Sequence, residues 1–117
     1  MRIRHMSQGL NKVLLIGYLG TDPEMRFTPS GKPIATFSIV VSRDDAGIVN
    51  QIHKQSELFT ILVWGELAEK CKETLKKGNK VYVDGQLQTR HWVDDQGFSK
   101  SNVEIMANEL LILNDIT

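Results

Sequence analysis

The chain has 117 residues, of which 41% are hydrophobic and 24% are charged, and its 14 basic and 14 acidic side chains balance. This length and composition indicate one globular domain that buries its own core, and they exclude a disordered chain. The longest apolar runs, such as residues 13–16, fall well short of the roughly 20 residues of a membrane-spanning helix, and no secretory signal is visible. Because Cys71 is the single cysteine, no internal disulfide can form, which is typical of a reducing compartment.

The first part of the chain is predicted to contain a leader and two extended segments. His5-Met6 has the pattern of a cloning junction, so we interpret residues 1–9 as a leader, partly a cloning remnant, that precedes the fold. Residues 12–19 are rich in Val, Leu, Ile and Tyr and end at Gly20, which predicts a strand. Residues 24–28 are predicted to extend again between two turns.

The next two strands alternate between apolar and polar side chains, the pattern of a half-buried strand. The apolar side comprises Ala35, Phe37, Ile39 and Val41 in residues 33–42, and Phe59, Ile61 and Val63 in residues 57–64. Between them, residues 43–55 are polar and lack periodicity. They are therefore predicted to form a long, mobile and functional loop.

One helix is predicted, over residues 66–77. Leu67, Cys71 and Leu75 recur every four residues and form an apolar stripe. The Lys-Lys-Gly sequence at 76–78 is a helix stop, with cations at the negative end of the helix dipole and a glycine at the C-terminal cap.

Two further strands follow the helix. The inward side chains are predicted to be Val81, Val83, Gly85 and Leu87 in residues 80–90, and Val103, Ile105 and Ala107 in residues 98–107, with a turn at 94–97 between the strands and a short apolar segment at 110–113. This order predicts an all-β fold: a five-stranded antiparallel OB-fold barrel with one α-helix between the third and fourth strands. It excludes a parallel α/β sheet.

Seven short motifs occur in order along residues 10–113. They are Leu10-Asn11-Lys12-Val13, Gly17-Tyr18-Leu19-Gly20, Asp22-Pro23-Glu24-Met25-Arg26-Phe27, Gly65-Glu66-Leu67-Ala68-Glu69, Leu75-Lys76-Lys77-Gly78, Val81-Tyr82-Val83-Asp84-Gly85-Gln86-Leu87 and Thr89-Arg90-His91-Trp92. In this order and spacing they resemble the bacterial single-stranded DNA-binding protein family. The resemblance implies an OB-fold domain over residues 10–113.

The chain departs from the family pattern at several positions. Asp44-Asp45 stand where an aromatic residue is common, Leu58 where Trp is common, and Glu66 where Lys often follows the glycine. The family usually continues into a long Gly-, Pro- and Gln-rich tail that ends in acidic residues. The sequence ends with residues 114–117, so we expect that tail to be absent or removed.

The resemblance implies sequence-independent binding and coating of single-stranded DNA in replication, recombination and repair, with no catalysis, cofactor or metal. It also implies a homotetramer, with a dimer as the second choice, replication and repair proteins as partners, no membrane, and a cytoplasmic, nucleoid-associated location. Exposed apolar groups on the first strand and at residues 110–113 independently indicate an interface between subunits. Alternatively, residues 110–113 fold back and close their own barrel.

Binding of an unpaired strand requires flat side chains on which bases stack. Trp64 alternates with the core side of its strand and Trp92 follows Arg90 near a hairpin turn, so both are candidates, and the family has stacking aromatic residues at these positions. A rim tryptophan that plugs the barrel is the alternative for Trp64. Tyr82 faces outward and could stack, contact a neighbouring subunit or cover the surface.

Binding also requires a positive groove that follows the phosphates. Arg90 is favoured because it shares a polar face with Gln86 and Gln88, whereas Asp84 on that face would repel phosphate. A neutral total charge still permits a basic face if the acidic residues lie elsewhere. The candidates for phosphate contact are Lys12, Arg26, Lys32, Arg43, Lys54, Lys77, Lys80, Arg90 and Lys100.

Two other functions remain open at this point. The first is an OB-fold accessory protein of a primosome or mobile element that acts mainly through protein partners. The second is a nuclease or another small enzyme, for which the candidate acid–base or metal residues are His53, His91, Asp94, Asp95, Asp22 and Glu24. The aspartates have the pattern of turns, and neither zinc-ligand spacing nor a nucleophile elbow or phosphate loop is present.

Overall fold

Six strands and one helix occupy residues 9–43 and 55–113, which are the residues that the computed structural model describes. In chain order the elements are β1 (Val13–Leu19), β2 (Glu24–Phe27), β3 (Pro33–Arg43), β4 (Gln55–Trp64), α1 (Glu66–Thr74), β5 (Lys80–Val93) and β6 (Ser99–Ile112). The all-β class and the helix between the third and fourth long strands are confirmed. The short β2 adds a sixth strand to the five of the predicted barrel.

The strands form one sheet in the order β1-β5-β6-β4-β3-β2. Strand β1 also pairs with β3, which bends the sheet toward a barrel. Among the described strands, β4 and β6 form the parallel pair, with Ile61 opposite Ile105, and the other pairs are antiparallel. Residues 44–54 of the predicted loop, with Lys54, lie outside the described residues. Arg43 and Gln55, at the edges of that loop, are paired ends of β3 and β4.

The core forms from the alternating apolar side chains of five strands, because successive residues of a strand point to opposite faces. Helix α1 covers one end of it with Ala68 and Cys71, and Leu75, directly after the helix, packs there as well. Burial raises the pKa of the Cys71 thiol to about 11, so the thiol stays protonated at neutral pH. The buried strand residues include Leu19, Ala35, Phe37, Ile39, Ile61, Val63, Val81, Val83, Ile105 and Ala107.

Helix α1 ends at Thr74, three residues before the predicted end, and Leu75 is already extended. The turn beyond it is held from elsewhere in the chain. The Lys77 amide donates to Asp22 Oδ1 at 2.8 Å, and the amide of Gly78, which has φ 94°, donates to the carbonyl oxygen of Leu19 at 2.8 Å. These distant partners hold the turn together with local bonds between Lys76 and Asn79.

The hairpin of β5 and β6 projects beyond the core, so Leu87 and Val103, which are predicted to face inward, are not buried: they are 48% and 57% exposed. Both side chains point toward the core side, but β1 pairs with β5 only up to Val13 and Gly85, and little covers the sheet beyond that point. Beyond this point, the Asn11 side chain continues the contact between the two chain segments, with two hydrogen bonds of 2.8 and 2.9 Å to the Leu87 backbone.

The predicted apolar segment at 110–113 is mostly the last part of β6, which pairs with the first part of β5.

Candidate nucleic-acid interface

Strand register places the two tryptophans on one outer face of the sheet. Directly opposed residues of neighbouring strands point to the same side. Trp92 lies opposite Lys100 of β6, and Met106, six residues further along β6, lies beside Leu62 of β4. Trp64 is two residues beyond Leu62 and therefore shares this face. Each tryptophan is 39% exposed.

The indole of Trp92 is stacked against a guanidinium. Arg90 Cζ lies 4.7 Å from the centre of the Trp92 ring, and Arg90 Nε lies 3.1 Å from Oε1 of the buried Glu104. Sequence reasoning missed Glu104. Alternation from Ile105 places it on the polar face, but its approach to Arg90 depends on the pairing of β5 with β6. Lys100, opposite Trp92, lies 3.9 Å from the Asp94 carboxylate.

Trp64 lines a cleft of about 650 Å³ at the start of α1. Its strand ends at Gly65, whose φ of 71° turns the chain into the helix and whose amide donates to the Pro33 carbonyl at 3.0 Å. The cleft is largely apolar with one cation at its rim. Its lining residues are Lys32, Trp64, Gly65, Leu67, Met106, Ala107 and Asn108. A flat apolar wall beside a cation can hold a nucleobase and its phosphate.

The predicted phosphate contacts fall into separate groups. Lys32 and Lys100 lie beside the two tryptophans, and Arg26 shares their face because it pairs with Ile34, which pairs with Trp64. Lys12 lies 3.3 Å from the Asp84 carboxylate, which offsets the negative charge that Asp84 adds to this face.

Lys77 and Lys80 lie apart from the tryptophans. Lys77 is in the turn after α1, and Lys80 lies over the Tyr18 ring, 5.9 Å from its centre, at the start of β5. Trp92 is twelve residues further along the same strand, roughly 40 Å of extended chain.

The profile of the Single-strand binding protein family matches residues 10–113. This chain belongs to that family. It is 41% identical over 109 residues to Single-stranded DNA-binding protein 1 of Chlorobaculum tepidum, covering 92% of this chain and 67% of that protein. It also superposes with a TM-score of 0.79 on a Plasmodium falciparum SSB in complex with ssDNA, at 29% identity, covering 94% of this chain and 100% of that one.

In this family member, Tyr82 lies on a second surface, away from Trp92. It is half-buried between Ile16 of β1 and Leu111 of β6, its register neighbours on either side. We use the name apolar β1–β5–β6 surface for the group to which it belongs. Its members, all partly or largely exposed, are Leu14, Ile16, Tyr18, Tyr82 and Leu111.

In this family member, the described candidate acid–base residues fall into two groups: Asp22 and Glu24 at the start of β2, and His91, Asp94 and Asp95 in the β5–β6 hairpin. Asp94 shapes its turn by accepting hydrogen bonds of 2.9 Å from the amides of Gln96 and Phe98. His53 lies outside the described residues. In residues 9–43 and 55–113, no group of three or more His, Cys, Asp or Glu residues could hold a metal ion. No helix in that part of the chain is long and apolar enough to cross a membrane.

Proposed function

We propose that this chain binds single-stranded DNA without sequence preference and coats it during replication, recombination and repair, and that it catalyses no reaction. The observation that carries the proposal is the shared outer face of Trp64 and Trp92, with Arg26, Lys32, Arg90 and Lys100 on or beside it. Aromatic rings accept any base, whereas cations follow the phosphates, so this combination binds without reading sequence. Family membership and the similarity to an SSB in complex with ssDNA support it.

The two stacking sites are separated by a distance suited to several nucleotides. Along β6, the position beside Trp64 is eight residues from Lys100, the partner of Trp92, or roughly 26 Å. OB-folds bind about 4–16 nucleotides each. A single strand that passes from the cleft at Trp64 to the hairpin at Trp92 would contact both tryptophans.

Titration of the protein with oligo-dT tests this function. We expect strong quenching of tryptophan fluorescence at nanomolar protein. Weak or absent quenching would favour an accessory protein that acts mainly through protein partners. Metal-dependent degradation of the same oligonucleotide would instead indicate an enzyme.

Salt is expected to weaken the binding, because each phosphate contact releases counterions. We expect Lys32→Ala to reduce the slope of log affinity against log salt by about 0.7, the contribution of one contact to single-stranded nucleic acid. Lys77→Ala is the matched control and should leave the slope unchanged, since Lys77 is in the turn after α1. An oligo-dT affinity that is equal at low and high salt would contradict the electrostatic part of the proposal.

We further propose that the protein is a homotetramer, with a dimer as the second choice. The apolar β1–β5–β6 surface supports this, because a contiguous exposed apolar patch usually marks an interface. Light scattering should give about four times the 13.2 kDa of one chain. Ile16→Lys should lower that mass and Phe27→Lys, an exposed change on β2, should not. A wild-type mass near 13.2 kDa would contradict the proposal, and twice that value would leave the dimer.

The proposed setting follows from the same function. A protein that coats unwound DNA acts where DNA is replicated and repaired, so we propose a cytoplasmic, nucleoid-associated location. Replication and repair proteins are the proposed protein partners.

A further inference from the structure

Glu104 is a carboxylate buried on the outer, polar face of the β5–β6 hairpin. It is 3% exposed, whereas Asn102 and Lys100, toward the hairpin turn on that face of β6, are exposed and Met106 on its other side is half-buried. A carboxylate removed from water costs several kcal/mol unless a cation or hydrogen bonds compensate it. The burial of an acidic side chain on a proposed phosphate-binding face therefore requires a compensating interaction.

Arg90 supplies the compensating charge. Its Nε lies 3.1 Å from Glu104 Oε1, and within the described residues that oxygen has no hydrogen bond of good geometry. The carboxylate is therefore held mainly by the charge of the guanidinium. In return, the ion pair with the buried Glu104 restricts the guanidinium of a long side chain that is otherwise half exposed.

The restricted guanidinium covers one face of the Trp92 indole, with Cζ 4.7 Å from the ring centre. Arg90 and Trp92 are two residues apart on one strand, so their side chains are neighbours on the same face. One side of the ring is thus occupied by Arg90, and the residue keeps 39% of its surface exposed.

We propose that Glu104 is a positioning residue for single-stranded DNA binding. It fixes the Arg90 guanidinium against one face of Trp92, and Arg90 in turn holds the indole so that the opposite face receives a base. The inference rests on the proposed function, and it names Glu104 as an acid that assists the binding of a polyanion.

Whether substitution of Glu104 strengthens or weakens oligo-dT binding distinguishes a positioning role from a purely electrostatic one. Removal of a negative charge from a phosphate-binding face should tighten binding if charge alone matters. Removal of a positioning residue should weaken it, because Arg90 and Trp92 lose their fixed orientation. We expect Glu104→Met, which keeps the approximate side-chain volume, to weaken oligo-dT binding about fivefold.

The experiment uses a Trp64→Phe background, in which Trp92 is the only tryptophan. Fluorescence anisotropy of the free protein reports the mobility of Trp92, and anisotropy of labelled oligo-dT reports affinity. In Glu104→Met we expect lower Trp92 anisotropy together with weaker binding. Glu104→Gln retains an oxygen that can accept a hydrogen bond from Arg90, so its losses of Trp92 anisotropy and of oligo-dT affinity should be smaller. If Glu104→Met does not fold, Glu104→Gln is measured in its place. Glu109→Gln, an exposed change on the same strand, is the control.

The same substitution in an Arg90→Ala background tests whether Glu104 acts through Arg90. There, Glu104→Met should cause no further loss of oligo-dT affinity. Equal losses with and without Arg90 would overturn the proposal, as would unchanged or tighter binding of Glu104→Met. If the unsubstituted protein failed to bind oligo-dT, the proposed function would be wrong. The Trp92 anisotropy of the free protein would still show whether Glu104 restricts the motion of Trp92.

Discussion

Replacement of Trp92 by alanine is expected to weaken oligo-dT binding by about 1–3 kcal/mol, or roughly 5- to 150-fold. The indole projects from the outer face of β5, is backed by Arg90 and is 39% exposed, so we expect its exposed part to stack on a base. Trp64→Ala is expected to cause a loss in the same range, because Trp64 forms a wall of the cleft beside Lys32. Anisotropy of labelled oligo-dT measures both effects without relying on the fluorescence of the residue removed.

The control for these two variants is Val93→Ala. Val93 is an exposed apolar residue next to Trp92 that points to the opposite side of the strand, and its removal should leave affinity unchanged. Thermal unfolding should change much less than binding in both tryptophan variants. If Trp64→Ala unfolded the protein and the folded fraction bound normally, Trp64 would be a plug of the barrel and not a stacking residue.

Gly85→Ala is expected to lower the free energy of unfolding by about 3 kcal/mol, the largest stability effect expected from a single added methyl group here. Gly85 lies at the irregularity where the register of β5 against β6 shifts. A Cβ at this position would overlap the backbone carbonyl of Met106 and press on the side chain of Ile105. Because a backbone oxygen paired within the sheet cannot move aside, the strands must separate locally. Urea unfolding measures the loss.

Gly9→Ala is the matched control for this change. A Cβ at Gly9 meets no atom within 4 Å, so its stability should change by less than about 0.5 kcal/mol. Unfolding of Gly85→Ala at the same urea concentration as the unsubstituted protein would mean that the two strands readjust around an extra methyl group at little cost.

Local patterns were sufficient for most of the strands. The alternation of Ala35, Phe37 and Ile39 predicts the buried side of β3, and all three are buried. The same alternation predicts the side that Leu87 and Val103 take but not their exposure, because alternation does not reveal whether another element covers that side. The helix end was also misplaced, because Asp22 and Leu19, distant in sequence, hold the turn after α1.

Tryptophans on polar faces marked two candidate site residues, but the alternation could not reveal that they share a face. The two tryptophans share a face because β6 pairs with the strand of Trp92, β5, on one side and with the strand of Trp64, β4, on the other. The candidate cations were divided in the same way. Lys32 lies beside Trp64, whereas Lys80 lies at the far end of β5 from Trp92. The sequence alone does not distinguish these two lysines as candidates for phosphate contact.

By itself, the sequence determined the class of fold, the family and the side of its strand that each tryptophan takes, because these depend on period-two alternation, turn residues and short motifs that act over a few residues. The tertiary structure alone decided which outer faces are continuous, which cations accompany the tryptophans, and that Glu104 is buried against Arg90. Strand pairing sets these features by joining residues far apart in the chain, and a register is a property of two strands together.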